Sequence, residues 1–363
     1  MKKVDISIQN LSKIEGHADL DVKVRQGKVQ EVKLQFTENK RFFTQAIKGR
    51  SIDTLSQSVA RICGTCSIAH TLCCIEAIEK ALSITPTPQT KLLKKLTMHG
   101  LMIRDHALHL YLFCLPDVFN VDSVLDFNKE QNKYLYDSFD IKRAGNKLST
   151  IVAGRAVHAP YPLVGGFAQI PDNKALKAII KDLLKARQKV FDLLEIYYNC
   201  NIDYTRNTIF VALCADKFDY LEGEIRTAKN ICIPEKNYFK YLQKIVLPYS
   251  QAIGYKFKGG TYMVGALARL NLNKKALHKN TLKDAKKYLK VFPSNNIFHN
   301  NLAQAIEILH SIDESIEIIE TTNFVHEEPV EFKPKKSQGV GLIEAPRGML
   351  FYHLDINEDG TIK

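Results

Sequence analysis

The sequence predicts a mainly α-helical fold with a small N-terminal β-sheet, an α+β protein. Two patterns carry that reading. Between residues 20 and 36 apolar residues alternate: Leu20, Val22 and Val24, then Val32, Leu34 and Phe36, with Gln26-Gly27 as the turn between them. Alternation of this kind is the period of a half-buried strand. From residue 51 onward the apolar spacing changes to steps of three and four, the period of a helix. With 363 residues and 45% hydrophobic content, the chain is read as one domain over 1–363, with a sheet at 4–36, a helical core at 51–320 and a strand region at 340–363.

Glu15 lies in the loop just before the second strand. Read alone, it is an exposed loop carboxylate or a turn partner for Gly16. Next come Ile52, Leu55, Val59 and Ile62 on one helix face, and Ile68, Leu72, Ile75, Ile78 and Leu82 on another. Between them stands Arg61-Ile-Cys63-Gly64-Thr-Cys66-Ser-Ile-Ala-His70. The cysteines therefore fall at the junction of two buried helices, with Gly64 expected to allow a tight turn.

Residues 89–115 form a long helical pattern ending at Leu115-Pro116 and carrying Arg104, Asp105, His106 and His109. The two histidines are one turn apart and are read as satisfied core groups rather than a metal pair. Gly145 is expected to start a helix that ends near Gly154. Arg155-Ala-Val-His158-Ala-Pro160 and Gly165-Gly166 follow as an irregular loop. Residues 173–199 repeat Leu176, Ile179, Leu183, Val190 and Leu194, a long amphipathic helix. Residues 203–250 are mixed. Helix returns at 282–320, and 327–339 read as a polar loop. Met349–Ile356 read as a strand, with Asn357-Glu-Asp-Gly360 as a hairpin turn and a return strand only begun at Thr361-Ile-Lys363. A half-hairpin leaves backbone donors unpaired, so the chain is read as truncated.

Two thiolates at C-x-x-C spacing can hold one metal from adjacent backbone positions. Three plainer readings compete. Buried cysteine is common, so chance spacing is one. A structural zinc site wants two more nearby ligands, and no second C-x-x-C follows. A thioredoxin-like pair wants a βαβ context, which the helix periods oppose. A metal site whose other ligands lie far away in sequence fits best.

R-x-C-G-x-C-x-x-x-H resembles the first cysteine signature of nickel–iron hydrogenase large subunits. Lys13-Ile-Glu15-Gly16-His17 is similar to that family's R-I-E-G-H segment. Gly259-Gly-Thr-Tyr-Met-Val-Gly265-Ala-Leu-Ala-Arg269 is similar to its S-Y-x-V-G-x-L-A-R segment. His299-Asn-Asn-Leu-Ala-Gln-Ala, Glu344-Ala-Pro346-Arg347-Gly348 and the 155–160 loop are also family-like. The likeness runs from near residue 10 to the end and is nearest the cytoplasmic, nicotinamide-linked or methanogen-type enzymes.

The resemblance implies a large-subunit-like fold and a catalytic subunit for H2 ⇌ 2H+ + 2e−. It implies nickel and iron as cofactors, the iron carrying small diatomic ligands. Cys63 becomes a terminal nickel ligand and Cys66 a bridge between nickel and iron. Glu15 aligns with the glutamate that passes protons to and from a nickel-bound cysteine. Arg61 and His70 orient the thiolates, Asp105 lies over the metal pair, and Arg347, after Pro346, places a fixed cation above the metals. The family's magnesium ligand falls in R-F-F-E. This chain reads Arg41-Phe42-Phe43-Thr44, and a neutral hydroxyl is a weak donor to a hard cation, so Thr44 speaks against magnesium. The family's second signature, D-P-C-x-x-C-x-x-H, is absent from these 363 residues.

Fifty-one Lys and Arg against thirty-nine Asp and Glu give +12. The lysines spread along helix faces such as Lys174 to Lys189, with no basic block interleaved with aromatics, so a solvated surface is read rather than a nucleic-acid site. No apolar run reaches spanning length and no signal peptide is visible, so no membrane insertion is expected. Eight scattered cysteines fit a reducing, cytoplasmic setting. None forms a cluster-type run. Electrons must therefore leave through a separate iron–sulfur small subunit, with further electron-transfer subunits beyond it. Two alternatives remain at this point: a complex I-like quinone-reducing subunit, whose relatives lack the cysteine pair, and a non-catalytic assembly or interaction protein that kept the fold.

Overall fold

The computed structural model describes residues 3–38, 42–228 and 231–363. Arg41 of the Arg41–Thr44 segment lies outside them. In chain order the first elements are β1 (Lys3–Ile8), β2 (Ala18–Arg25), β3 (Lys28–Phe36), α1 (Phe42–Ala46), α2 (Ile52–Val59), α3 (Ser67–Leu82), α4 (Pro88–Ala107) and α5 (Leu115–Val118). α6 (Asn132–Ala153), the short pair β4 (Pro162–Leu163) and β5 (Gly166–Phe167), and α7 (Asn173–Tyr198) follow. Six strands come next: β6 (Ile209–Cys214), β7 (Glu224–Thr227), β8 (Cys232–Ile233), β9 (Leu242–Val246), β10 (Ile253–Phe257) and β11 (Tyr262–Met263). The chain closes with α8 (Ala266–Asn273), α9 (Lys279–Asp284), α10 (Lys286–Leu289), α11 (His299–Thr321), β12 (Ser337–Ala345) and β13 (Gly348–Ile356).

Two compact units emerge. The first comprises Met1–Lys48 and Phe239–Thr261. Its core is the antiparallel meander β1-β2-β3, turning at Gln26-Gly27, both with positive φ, as the alternation predicts. Pairing of Ile6 with Val22 and Val22 with Val32 puts aliphatic residues on one face, while Asp5, Lys23 and Glu31 share the other. The β9–β10 hairpin ties to the meander through its connecting loop, where Phe36 N–H donates to Ser250 Oγ at 3.1 Å and Gln251 N–H to the Phe36 carbonyl at 2.8 Å.

The second unit comprises Gly49–Tyr238 and Tyr262–Lys363. α4, α6, α7 and α11 pack together around a buried aliphatic core that includes Leu101, Leu148, Leu183 and Leu309. α4 and α6 cross where Gly100 meets Gly145: a Cβ on Gly145 would stand 2.7 Å from the Gly100 carbonyl oxygen. The expectation that Gly145 opens a helix is thereby corrected. It lies in the second half of α6, where its missing side chain permits the crossing. α4 is also not stopped at Leu115-Pro116. It continues as a π-helical stretch, Leu108–Cys114, into α5, whose first turn accommodates Pro116. α7 matches its predicted span within a residue. The mixed region supplies β6, β7 and β8, which β11 completes into the sheet β11-β6-β7-β8.

β12 and β13 pair antiparallel from Ser337↔Ile356 to Ala345↔Gly348. Residues 337–339, expected in a polar loop, are the start of β12, and Gly339 and Gly341 let this strand lie directly on α3 against Ala77 and Cys73. The expectation of an unpaired β13 is corrected too, because β12 pairs with it along its whole length. The begun return strand is paired as well. Ile356 bridges to Ile362 and Ser51 to Thr361, and Gly49 N–H donates to the Ile362 carbonyl at 2.8 Å.

Candidate metal centre

Helix α2 starts at Ser51, whose hydroxyl accepts from Asp53 N–H, and decays into a 3-10 turn at Ala60–Ile62. The backbone becomes extended at Cys63 and re-enters helix at Ser67, with Cys66 in the N-cap position of α3. The cysteines thus bracket a helix break, as the apolar periods predict. Their Cα atoms are 5.5 Å apart and their sulfurs meet. Cys66 N–H points at Cys63 Sγ from 3.3 Å, and Thr65 Oγ1 lies 3.5 Å from that sulfur. The turn does not depend on Gly64. Its φ is not positive, and a Cβ there would meet nothing within 4 Å.

Three elements brace this loop. Arg104 on α4 donates to the Thr65 carbonyl at 2.8 Å. Its burial pulls the guanidinium down to about 10, which still leaves it charged at neutral pH. The 155–160 loop reaches the start of α3, where His158 N–H donates to buried Ser67 Oγ at 2.9 Å, and Gln57 on α2 holds the Ala159 carbonyl. From the third side, the Tyr352 hydroxyl on β13 lies 2.9 Å from His70 Nδ1.

The neighbour of Arg104 points elsewhere. Buried Asp105 accepts from Arg347 Nη2 at 3.4 Å. Arg347 and Pro346 form the two-residue tip of the β12–β13 hairpin, so adjacent residues of α4 hold the cysteine loop and the hairpin tip. Arg61 is exposed on the 3-10 turn. Glu15 sits in the exposed β1–β2 loop of the first unit. Thr44 belongs to α1.

His106 and His109 each have a side-chain partner rather than forming a metal pair, although the buried Nδ1 of His106 has none among the described residues. His106 Nε2 is 2.8 Å from Glu307 and His109 Nδ1 is 2.7 Å from the Gln304 amide oxygen. Sequence reasoning missed Arg104, Tyr352 and Glu307. Arg104 stood beside Asp105 in the predicted helix, and that adjacency in sequence was the available signal. Tyr352 and Glu307 gave none.

A sequence profile described as nickel-dependent hydrogenase matches residues 41–139. The alpha subunit of sulfhydrogenase 1 from Pyrococcus furiosus is 31% identical, over 98% of this chain and 85% of that protein. The chain belongs to the nickel-dependent hydrogenase family. The alpha subunit of sulfhydrogenase 2 from the same organism is 29% identical over 98% of this hydrogenase chain and 85% of its own length. Among solved structures, an NAD+-reducing [NiFe]-hydrogenase in the H2-reduced state superposes with a TM-score of 0.89 at 21% identity, covering 99% of this chain and 87% of that one. That match shows the large-subunit fold.

The protein is therefore a catalytic large subunit of a nickel–iron hydrogenase, carrying nickel and iron and interconverting H2 with protons and electrons. Nothing in the comparisons favours the non-catalytic or complex I-like alternatives. Its relatives are named as subunits of multi-subunit hydrogenases. The residues present suit the metals: two soft sulfur atoms stand together at one point, braced from three sides, and soft donors select late first-row metals.

Proposed function

We propose that Cys63 and Cys66 hold the nickel–iron pair, Cys63 as a terminal nickel ligand and Cys66 as the bridge to iron. The observation that carries this is the meeting of the two sulfurs at the head of α3, with α4 tying their loop to the Asp105–Arg347 pair. Nickel and iron bound there supply the centre at which H2 is cleaved and formed. The protein's own groups do the rest. His70, fixed by Tyr352, and Arg61 orient the thiolates. Glu15 exchanges the proton with the cysteine sulfur, a carboxylate being suited to this when its neighbours bring the two affinities together. Pro346 sets the hairpin tip, and Arg347 presents a fixed cation above the metals. Magnesium has no part in this assignment, because Thr44 offers only a neutral hydroxyl.

The electrons leave to an iron–sulfur small subunit, which passes them to further electron-transfer subunits. The remaining cysteines support this. Cys73, Cys74 and Cys214 are buried, and Cys114, Cys200 and Cys232 are scattered. Among the described residues the one group of three convergent donors is His278, Glu314 and Glu317, which contains no thiol. No helix among them is long and apolar enough to cross a membrane. The scattered, unclustered thiols support a cytoplasmic setting.

The test is metal analysis and infrared spectroscopy of the protein matured in its own cells with its partners. Nickel and iron together, with bands of diatomic ligands that vanish in Cys66→Ser, are expected. Zinc alone would overturn the assignment.

A further inference from the structure

The hairpin tip is held from behind by a charge cluster that the sequence motif does not explain. Arg269, on α8, is 1% exposed, and the carboxylates beside it, Glu307 on α11 and Glu344 on β12, are fully buried. Glu307 grips the guanidinium with both oxygens, at 2.6 Å to Nε and 2.7 Å to Nη2. Glu344 takes Nη1 at 2.7 Å. The remaining donor capacity goes to backbone. Nη1 also reaches the Ala345 carbonyl at 3.2 Å, and Nη2 the Pro346 carbonyl at 3.4 Å. These are the two peptide groups that lead into Arg347.

Each carboxylate is itself anchored. His106 Nε2 stands 2.8 Å from Glu307. Glu344 accepts from Leu213 N–H at 2.8 Å, and its own N–H donates to the Tyr220 carbonyl at 2.7 Å. The Tyr220 ring covers the guanidinium at 5.6 Å. Gly265, with φ of 98°, starts α8 against the hairpin, and a Cβ there would stand 3.2 Å from the Arg347 carbonyl oxygen. The two family-like segments around Gly265–Arg269 and Glu344–Gly348 are thus one piece of structure.

A buried guanidinium between two carboxylates is costly to assemble, and apolar packing does at least as well for stability alone. What a planar fork adds is geometry: five fixed donors aimed in known directions. Here two of those directions end on the carbonyls of residues 345 and 346.

We propose that Arg269 is a positioning residue for hydrogen turnover, acting through the Pro346–Arg347 tip, whose height and tilt over the metals it fixes. The inference rests on the placement of Arg347 proposed above. Arg269 touches no reacting atom. It acts as a rack, with Glu307 and Glu344 as its clamps and His106 as the backstop.

The test uses the matured, metal-loaded complex. Arg269→Lys keeps the charge but loses the fork. It is expected to retain nickel and iron, to shift and broaden the infrared bands of the iron's diatomic ligands, and to lower turnover at least tenfold. Glu344→Gln, which keeps shape and leaves the Glu307 clamp, should shift the bands in the same sense by less. It also serves if Arg269→Lys fails to accumulate. Wild-type bands and turnover in a metal-replete Arg269→Lys or Glu344→Gln complex would overturn the proposal. Arg347→Lys separates the two readings. If it abolishes turnover while the Arg269 variant is silent, Arg347 keeps its role and the rack is wrong. If it is silent while Arg269→Lys shifts the bands, the rack stands and acts through Pro346.

Discussion

Asp105 and Arg347 meet across 3.4 Å, one buried on a long helix and the other half-exposed at the tip of a hairpin. Sequence separation between them is large, and the contact is a single charge-assisted bond. It decides whether the Arg347 cation is a fixed or a wandering charge. In Asp105→Asn the side-chain shape is kept and the charge is lost. A bond to a charged group contributes about 1.5–3 kcal/mol, so turnover is expected to fall roughly tenfold or more with nickel content unchanged. Steady-state H2 oxidation with parallel metal analysis checks this. Unchanged turnover would show that Arg347 is held by something else.

Glu15 is the residue proposed above to exchange the proton. Glu15→Gln keeps size and hydrogen bonding but cannot titrate. Loss of a positioned acid–base group lowers rates by about two orders of magnitude or more, and metal content should be intact. Proton–deuterium exchange at the wild-type rate in this variant would send the proton by another path.

Glu76 makes a prediction about pH. It lies on α3, accepts from Leu342 N–H at 2.8 Å and pairs with Lys80. Burial nevertheless pushes its carboxyl up from the ordinary 4.5 to about 7. In that window the folded chain binds more protons at this group than the unfolded chain does. Stability contributed by Glu76 therefore falls as pH rises from about 4.5 to about 7 and is flat above. Glu235 and Glu314, also raised by burial, act in the same direction. Glu76→Gln should lose its share of the slope, so its Tm relative to wild type should rise between pH 4.5 and 7. A Tm difference independent of pH would mean that Glu76 is ionised throughout.

The crossing of α4 and α6 tolerates no side chain at residue 145. A Cβ there would stand 2.7 Å from the Gly100 carbonyl oxygen and 2.9 Å from Arg104 N. Overpacking of this kind costs about 1–3 kcal/mol. Gly145→Ala should lower stability by that amount despite the better helix propensity of alanine. It should also loosen the bond from Arg104 to the Thr65 carbonyl. Urea unfolding and the metal occupancy of the variant report on the two effects. A gain in stability would show that the helices separate freely.

Much of this was legible in the sequence because the signals were local. The meander followed from strict alternation and a Gln26-Gly27 turn. α7 followed from its period, and the cysteine loop from two periods that stop on either side of it. What was missed was set by distant partners. Gly145 looks like a helix boundary until Gly100 is placed against it. β13 looked unpaired because its partner β12 opens on Ser337-Gln-Gly, where the glycines that admit helix α3 erase the strand pattern. The braces of the site hid for the same reason. Tyr352 is an ordinary strand tyrosine until His70 stands beside it, and Arg269 reads as part of a motif without saying what it holds.

The bracing of the cysteine loop by β13 has a consequence for how the protein is made. His70 meets Tyr352, Cys73 Sγ lies 3.4 Å from the Leu350 carbonyl oxygen, and Ser51 pairs with Thr361. On the ribosome, α2 and α3 emerge long before the strand that locks them. Until then α3 has an apolar flank and two adjacent thiols with no wall behind them. Long-range closure of this kind is slow and leaves intermediates exposed. Synthesis therefore passes through a long interval in which the thiols are open to oxidation or to the wrong ion, and that interval ends only when residues 350–362 have been made and folded back.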